Sequence, residues 1–167
     1  GGVLMPGDGS ADPSGVTHML AKGARKRGTK IYEQSPVETI LTKNGRIHGV
    51  RVNGQDIDCE YVVLATGMWS RQIGEKAGVS IPLYPAEHFY IITEPIDNLS
   101  KTLPVISDFD NRTYIKEDAG KILVGIFEGY SIPAWDKTNR VPEDFSFGEF
   151  QENFEHFEPY LASAIKR

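Results

Sequence analysis

The chain has 167 residues, 40% of them hydrophobic and 25% charged, with a net charge of −5 and a pI near 5.4. That length carries one domain, with room for a second lobe, and can bury a core without disulfides or metals. The acidic balance argues against nucleic acid as a partner, because phosphate binding needs a basic face, and no apolar run reaches the length of a membrane span.

Asp12 to Arg27 reads as a helix. Asp12 suits the N-cap, Pro13 the first turn, and Gly28 the stop. Val16, Met19, Leu20 and Ala24 recur at helical spacing. The basic run Lys22, Arg25, Lys26 and Arg27 suits a solvated helix end, where cations complement the dipole. Thr29 to Glu33 is a short strand candidate. Val37 to Thr42 and Arg46 to Asn53 read as a hairpin about Asn44-Gly45, and a second turn at Asn53-Gly54 leads to Asp56 through Glu60. Gly49 suggests a bulge.

Tyr61 to Ala65 is continuously apolar, as in a strand covered on both faces, and stops at Thr66-Gly67. Met68 to Ala77 reads as a short helix. Leu83 to Glu94, Val105-Ile106, Thr113 to Glu117 and Lys121 to Phe127 read as strands of an antiparallel sheet. Gly129 to Val141 is a loop in which Trp135, Tyr130 and Pro133 could form a lid. Phe145 to Leu161 reads as an amphipathic helix with Phe147, Phe150, Phe154, Phe157 and Leu161 on one stripe. Such a stripe suits a core or an interface.

The only cysteine, Cys59, excludes an internal disulfide and a thiolate zinc site, and no other residues have metal-ligand spacing. Reducing, cytoplasmic conditions are the default expectation. The opening residues have neither a charged n-region nor a long apolar h-region, and no initiator methionine, which reads as a cut domain. His18, His48 and His156 suit structural or exposed positions.

The segment YVVLATGMWS, Tyr61 to Ser70, places a glycine where a strand gives way to a helix and backbone can approach a ligand. Asp8-Gly9, Asp12-Pro13, Pro36-Val37 and Ala65-Thr66-Gly67 with Trp69-Ser70 together resemble the middle of the D-amino-acid-oxidase-like flavoprotein superfamily. Residues 85–90 (PAEHFY), Arg112 to Glu117, and Gly120 to Gly125 with Glu128 resemble its sarcosine and dimethylglycine dehydrogenase branch. The resemblance covers Asp8 to about Trp135.

The resemblance implies an α/β fold: part of a Rossmann-like FAD-binding lobe with a β-meander at residues 1–82, then an antiparallel substrate lobe with a terminal helix at 83–167. It implies that Val37, Ala65, Thr66, Gly67 and Trp69 line the FAD site. It implies that His88 and Tyr114 face a small-molecule amine substrate near the flavin ring. The implied chemistry takes a hydride from the carbon beside a secondary or tertiary amine. The resulting iminium is hydrolysed or its carbon passes to folate.

The chain departs from that pattern in two ways. It has no GxGxxG turn opening a helix, the usual pyrophosphate seat, so by itself it is expected to be inactive. Lys116 stands where the branch often has arginine, and lysine lacks the bidentate fork. Two other readings stay open: a glycine or 2-hydroxy acid oxidoreductase of the same superfamily, and a non-catalytic interaction domain using the phenylalanine-rich terminal helix.

Overall fold

The computed structural model describes residues 1–135, 137–138 and 140–166. The fold mixes α and β, as expected, with antiparallel sheets. It forms two compact units. One comprises residues 1–17, 86–132 and 147–167, the other residues 18–85 and 133–146. Helix α1, Pro13–Lys26, crosses from the first to the second.

The first unit holds a four-stranded sheet of β4 (Tyr90–Ile92), β5 (Ile106–Asp108), β6 (Thr113–Asp118) and β7 (Lys121–Ile126), ordered β4-β7-β6-β5. The β6–β7 hairpin turns at Ala119 and Gly120, both at positive φ, and the Glu117 carboxylate accepts from Gly120 N at 2.7 Å. Side chains alternate across a strand, and burial follows. Phe89 and Ile91 pack inward, whereas His88, Tyr90 and Ile92 are exposed. Val124 and Ile126 of β7 join Phe157 and Ala164 of helix α3 (Phe154–Ala164) in the core, with Ile115, Ile122, Tyr160 and Leu161 packed around them. Burying each such aliphatic side chain contributes about 1.5–3 kcal/mol.

Helix α3 is shorter than its phenylalanine stripe implies. Phe147 sits at φ 47°, off the helical path, and Asn153 caps the true start by accepting from His156 N at 3.1 Å. Of the stripe, Phe157 enters the core while Phe147 and Phe154 stay exposed. Pro159 lies inside the helix and removes one backbone donor.

The second unit holds the meander β1 (Val37–Lys43), β2 (Arg46–Val52) and β3 (Gln55–Asp58), ordered β1-β2-β3. Both turns pair an Asn and a Gly at positive φ: Asn44 with Gly45 and Asn53 with Gly54. This is the geometry that favours two-residue hairpins. Pairing passes from Leu41↔Gly49 to Thr42↔Ile47, so the β2 bulge falls at His48, beside Gly49. A Cβ on Gly49 would lie 2.6 Å from Ile57 O, which is why the sheet closes so tightly there. A 3-10 turn, Gly67–Trp69, leads into α2 (Ser70–Glu75). Gln72 of α2 holds Val141 in both directions, donating to its O at 2.9 Å and accepting from its N at 2.8 Å.

Two expected strands do not form. Thr29 to Glu33 makes no ladder and is tied instead by the Arg25–Glu33 ion pair at 2.9 Å. Tyr61 to Ala65 has no strand partner among the described residues, and Tyr61 and Val63 are 84% and 87% exposed. Hydrophobicity marks a segment for burial, but a ladder needs a neighbour to exchange hydrogen bonds with. The strand expected over Leu83 to Glu94 shrinks to Tyr90–Ile92, with an isolated bridge residue at Ala86. The expected loop from Gly129 to Val141 has no helix or ladder strand in its described part, and Trp135 packs edge-on against Phe145 at 4.8 Å. Asp136 and Asn139 in that loop lie outside the described residues.

Candidate functional site

The outward face of the four-stranded sheet carries a cluster of polar and aromatic side chains. Residues directly opposite in a ladder share a face, so Tyr90, Gly125, Tyr114 and Ser107 form one row across all four strands. Gly125 makes the row possible: a Cβ there would run into the Tyr114 ring. Tyr114 lies over this gap, with its ring 5.3 Å from that of Phe127, which in turn stacks on Phe109 at 5.4 Å.

His88 stands two residues before Tyr90 and joins the cluster. Its Nε2 is 3.3 Å from Tyr114 Oη, and the two rings are nearly parallel with centroids 6.2 Å apart. Its Nδ1 is 2.9 Å from Glu128 Oε2. The other oxygen, Glu128 Oε1, accepts from Phe89 N at 3.0 Å. The Glu128 side chain is 4% exposed, against 50% for His88. A buried carboxylate at one end of the line therefore faces an accessible imidazole and phenol at the other. Burial is the first cause that raises the Tyr114 hydroxyl above its ordinary value, followed by the charge of Glu128 and then Tyr90. The phenol is thus held protonated and can donate a hydrogen bond. Such a line can take or give a proton at its accessible end while keeping the imidazole in one orientation.

The residues expected to line a dinucleotide lie in the second unit. Thr66 Oγ1 bonds Ser70 Oγ at 3.0 Å, which ties the end of the apolar run to α2. Lys76, just past α2, donates to Glu38 O at 3.0 Å, so the start of β1 beside Val37 and the end of α2 are neighbours. Ala65 and Gly67 are exposed, Trp69 is partly buried, and Gly67 has φ 54° with open space where a Cβ would stand. Exposed peptide groups after an apolar run, with a glycine that lets backbone approach, fit one edge of an FAD molecule. They do not supply its pyrophosphate seat. The free N–H groups at the start of α1 are already taken, since Asp12 accepts from Ser14 N at 3.1 Å and Gly15 N at 3.0 Å. An anion there would also meet the Asp12 carboxylate. An open groove of about 850 Å³ along β2, lined by His48, Cys59 and Tyr61 among others, contains none of the expected ligand residues.

The structure thus brings His88 and Tyr114 into contact, although 26 positions separate them. It adds what sequence reading left without a role: Glu128, Gly125, Tyr90 and Phe127. The available signal was an acidic residue, Glu128, directly after the apolar run that ends at Phe127. Lys116 shares the outward face two residues after Tyr114 and is partly buried. His18 and His48 are exposed, and His156 packs against Phe89 and Tyr160. Among the described residues no group of three or more His, Cys, Asp or Glu could hold a metal ion. No described helix is long and apolar enough to cross a membrane.

Comparison with known proteins agrees with the resemblance read from the sequence. The chain is 38% identical over 98% of its length to a 4-methylaminobutanoate oxidase (formaldehyde-forming) of Paenarthrobacter nicotinovorans, covering 20% of that protein. It is 31% identical over its whole length to human mitochondrial sarcosine dehydrogenase, covering 18%. The chain therefore spans about a fifth of the length of these curated relatives. The crystal structure of L-proline dehydrogenase from P. horikoshii superposes with a TM-score of 0.75 at 30% identity, over 96% of this chain and 40% of that one. The FAD dependent oxidoreductase family (DAO) matches residues 1–167, and the chain belongs to it.

Proposed function

We propose that the whole protein is an FAD-dependent amine dehydrogenase or oxidase that oxidises a C–N bond of a small N-methylated amino acid. The observation that carries this reading is the line Tyr114–His88–Glu128, a phenol and an imidazole backed by a buried carboxylate on an aromatic sheet face. The names of two relatives, a 4-methylaminobutanoate oxidase and a sarcosine dehydrogenase, support the substrate class. In this reading Val37, Ala65, Thr66, Gly67 and Trp69 contact the cofactor. Residues 1–82 serve the flavin and residues 83–167 the substrate, in a cytoplasmic setting.

Bound FAD would supply the acceptor for the hydride that leaves the carbon next to nitrogen. That departure needs a free nitrogen lone pair, so the amine must first lose its proton. Tyr114 Oη receives that proton while its own passes to His88 Nε2, 3.3 Å away. Tyr90, Tyr114 and Phe127 offer aromatic surface to the N-methyl groups and to the ammonium form before it is deprotonated. Hydrolysis of the iminium would release formaldehyde, whereas transfer of its carbon would need folate as acceptor.

A reduction panel on the whole protein tests this. Under anaerobic conditions N-methylated amino acids should bleach the flavin, and glycine and 2-hydroxy acids should not. Bleaching by glycine or a 2-hydroxy acid alone would move the substrate class. The 167-residue chain, lacking the glycine-rich turn, should show no flavin band after incubation with FAD and desalting.

A further inference from the structure

We infer that Glu128 is a positioning residue that fixes the tautomer of His88, so that Nδ1 carries the proton and Nε2 is the atom free to accept one. The inference deepens the amine-oxidising reading and rests on it only for its kinetic consequence. The assignment comes from counting donors. Phe89 N–H can only donate, so Glu128 Oε1, 3.0 Å away, is an acceptor. An ionised carboxylate has no proton to give from its second oxygen either. His88 Nδ1, 2.9 Å from Oε2, must therefore be the donor. In the neutral ring that leaves Nε2 with a lone pair, which faces the Tyr114 hydroxyl at 3.3 Å. The proton line then runs one way, from Tyr114 O–H to His88 Nε2 and from His88 Nδ1–H to Glu128.

Glu128 is held well enough to impose this. Its side chain is 4% exposed, and a buried charge keeps its partners because losing one leaves it uncompensated. The residues on either side are pinned: Phe127 N donates to Arg112 O at 2.8 Å, and Gly129 N to Tyr160 Oη of α3 at 3.3 Å. The backbone that carries the carboxylate is thus tied to Arg112 on one side and to α3 on the other.

The substitution Glu128→Gln makes the inference sharp. A glutamine is nearly the same shape but has one acceptor and one donor end. Phe89 N–H still demands the acceptor, so the amide NH₂ must point at His88 and donate to Nδ1. The proton moves to Nε2, and the tautomer inverts.

The test is the ¹⁵N spectrum of the imidazole rings of the whole protein at about pH 9, well above the ordinary imidazole value. The His88 signals are assigned by their loss in His88→Gln. The wild type should show a protonated Nδ1 and a bare Nε2, and Glu128→Gln should exchange the two. A wild-type ring protonated at Nε2, or a tautomer unchanged in Glu128→Gln, overturns the inference. The wild-type spectrum decides even if the variant fails to fold. In the whole protein Glu128→Gln should slow flavin reduction by about 10²-fold or more, toward the ~10⁴-fold cost of a wrong histidine tautomer in a catalytic triad. A tautomer that inverts while reduction is unaffected by both Glu128→Gln and His88→Gln upholds the positioning and removes the amine-facing role.

Discussion

The four-stranded sheet and the three-stranded meander are both antiparallel and share turns that need positive φ, but they differ in what covers them. The first lays one face on α3 and buries Val124, Ile126 and Phe157 there. The meander buries Ile40 and Gly49, and its other positions are exposed or partly so. A covered sheet gains from side chains far apart in sequence, and its free face can hold a cluster such as His88, Tyr114 and Glu128 in fixed geometry. An uncovered meander depends on its turns and on side-chain pairs such as Arg51–Asp56, bonded at 2.6 and 3.0 Å.

Core truncation should separate the two sheets most strongly. Phe157→Ala removes the ring that α3 places in the core and should cost about 3–5 kcal/mol. Ile126→Ala should cost about 2–5 kcal/mol. Urea unfolding followed by circular dichroism checks both. A loss below 1 kcal/mol in each (~0.2 of the expected upper value) would mean that the helix does not cover the sheet.

Gly125→Ala attacks the free face rather than the core. The added methyl should push Tyr114 away at a cost of about 1–3 kcal/mol and move the His88 ring signals. Gly45→Ala tests the turn-based half of the comparison. With φ 74° at that position, it should cost about 1 kcal/mol and loosen only the meander. Amide exchange should therefore rise in β1 and β2 and stay constant in β6 and β7.

The smallest expected effects are on pH dependence, and they fall at opposite ends of the scale. The folded state raises the Tyr114 hydroxyl above its unfolded value, chiefly by burial. The stability of its neutral form is complete below about pH 10 and is lost as pH rises through the raised value. Tyr114→Phe should flatten that alkaline decline in the urea midpoint. In the meander, the hydrogen bond from Arg51 lowers Asp56. Its contribution is present above about pH 4 and is lost as pH falls through the lowered value. Asp56→Asn should remove that acid-side slope.

Local signals carried much of the fold. Asn44-Gly45 and Asn53-Gly54 announce the meander, and the apolar run after Lys121, with the Asp118-Ala119-Gly120 turn before it, announces β7, because turns and short strands are set by neighbours in sequence. The phenylalanine stripe misled, since spacing alone does not show that Phe147 leaves the helical path or that Asn153 caps the start. Tyr61 to Ala65 misled for another reason: its apolar character is real, but pairing depends on a partner strand. The candidate site was legible as two residues, His88 and Tyr114, and only through family resemblance. Glu128 needed the fold, because its role arises from a β7 end brought beside residues 39 and 40 positions earlier.

The most direct test of the account is the rate of flavin reduction, measured by anaerobic stopped-flow on the whole protein, in Tyr114→Phe against wild type with an N-methylated amino acid. Phenylalanine keeps the ring over Gly125 and removes only the hydroxyl that faces His88. Reduction should slow by about 10²-fold or more with little change in substrate affinity. An unchanged rate would contradict it and leave the sheet face as scaffold.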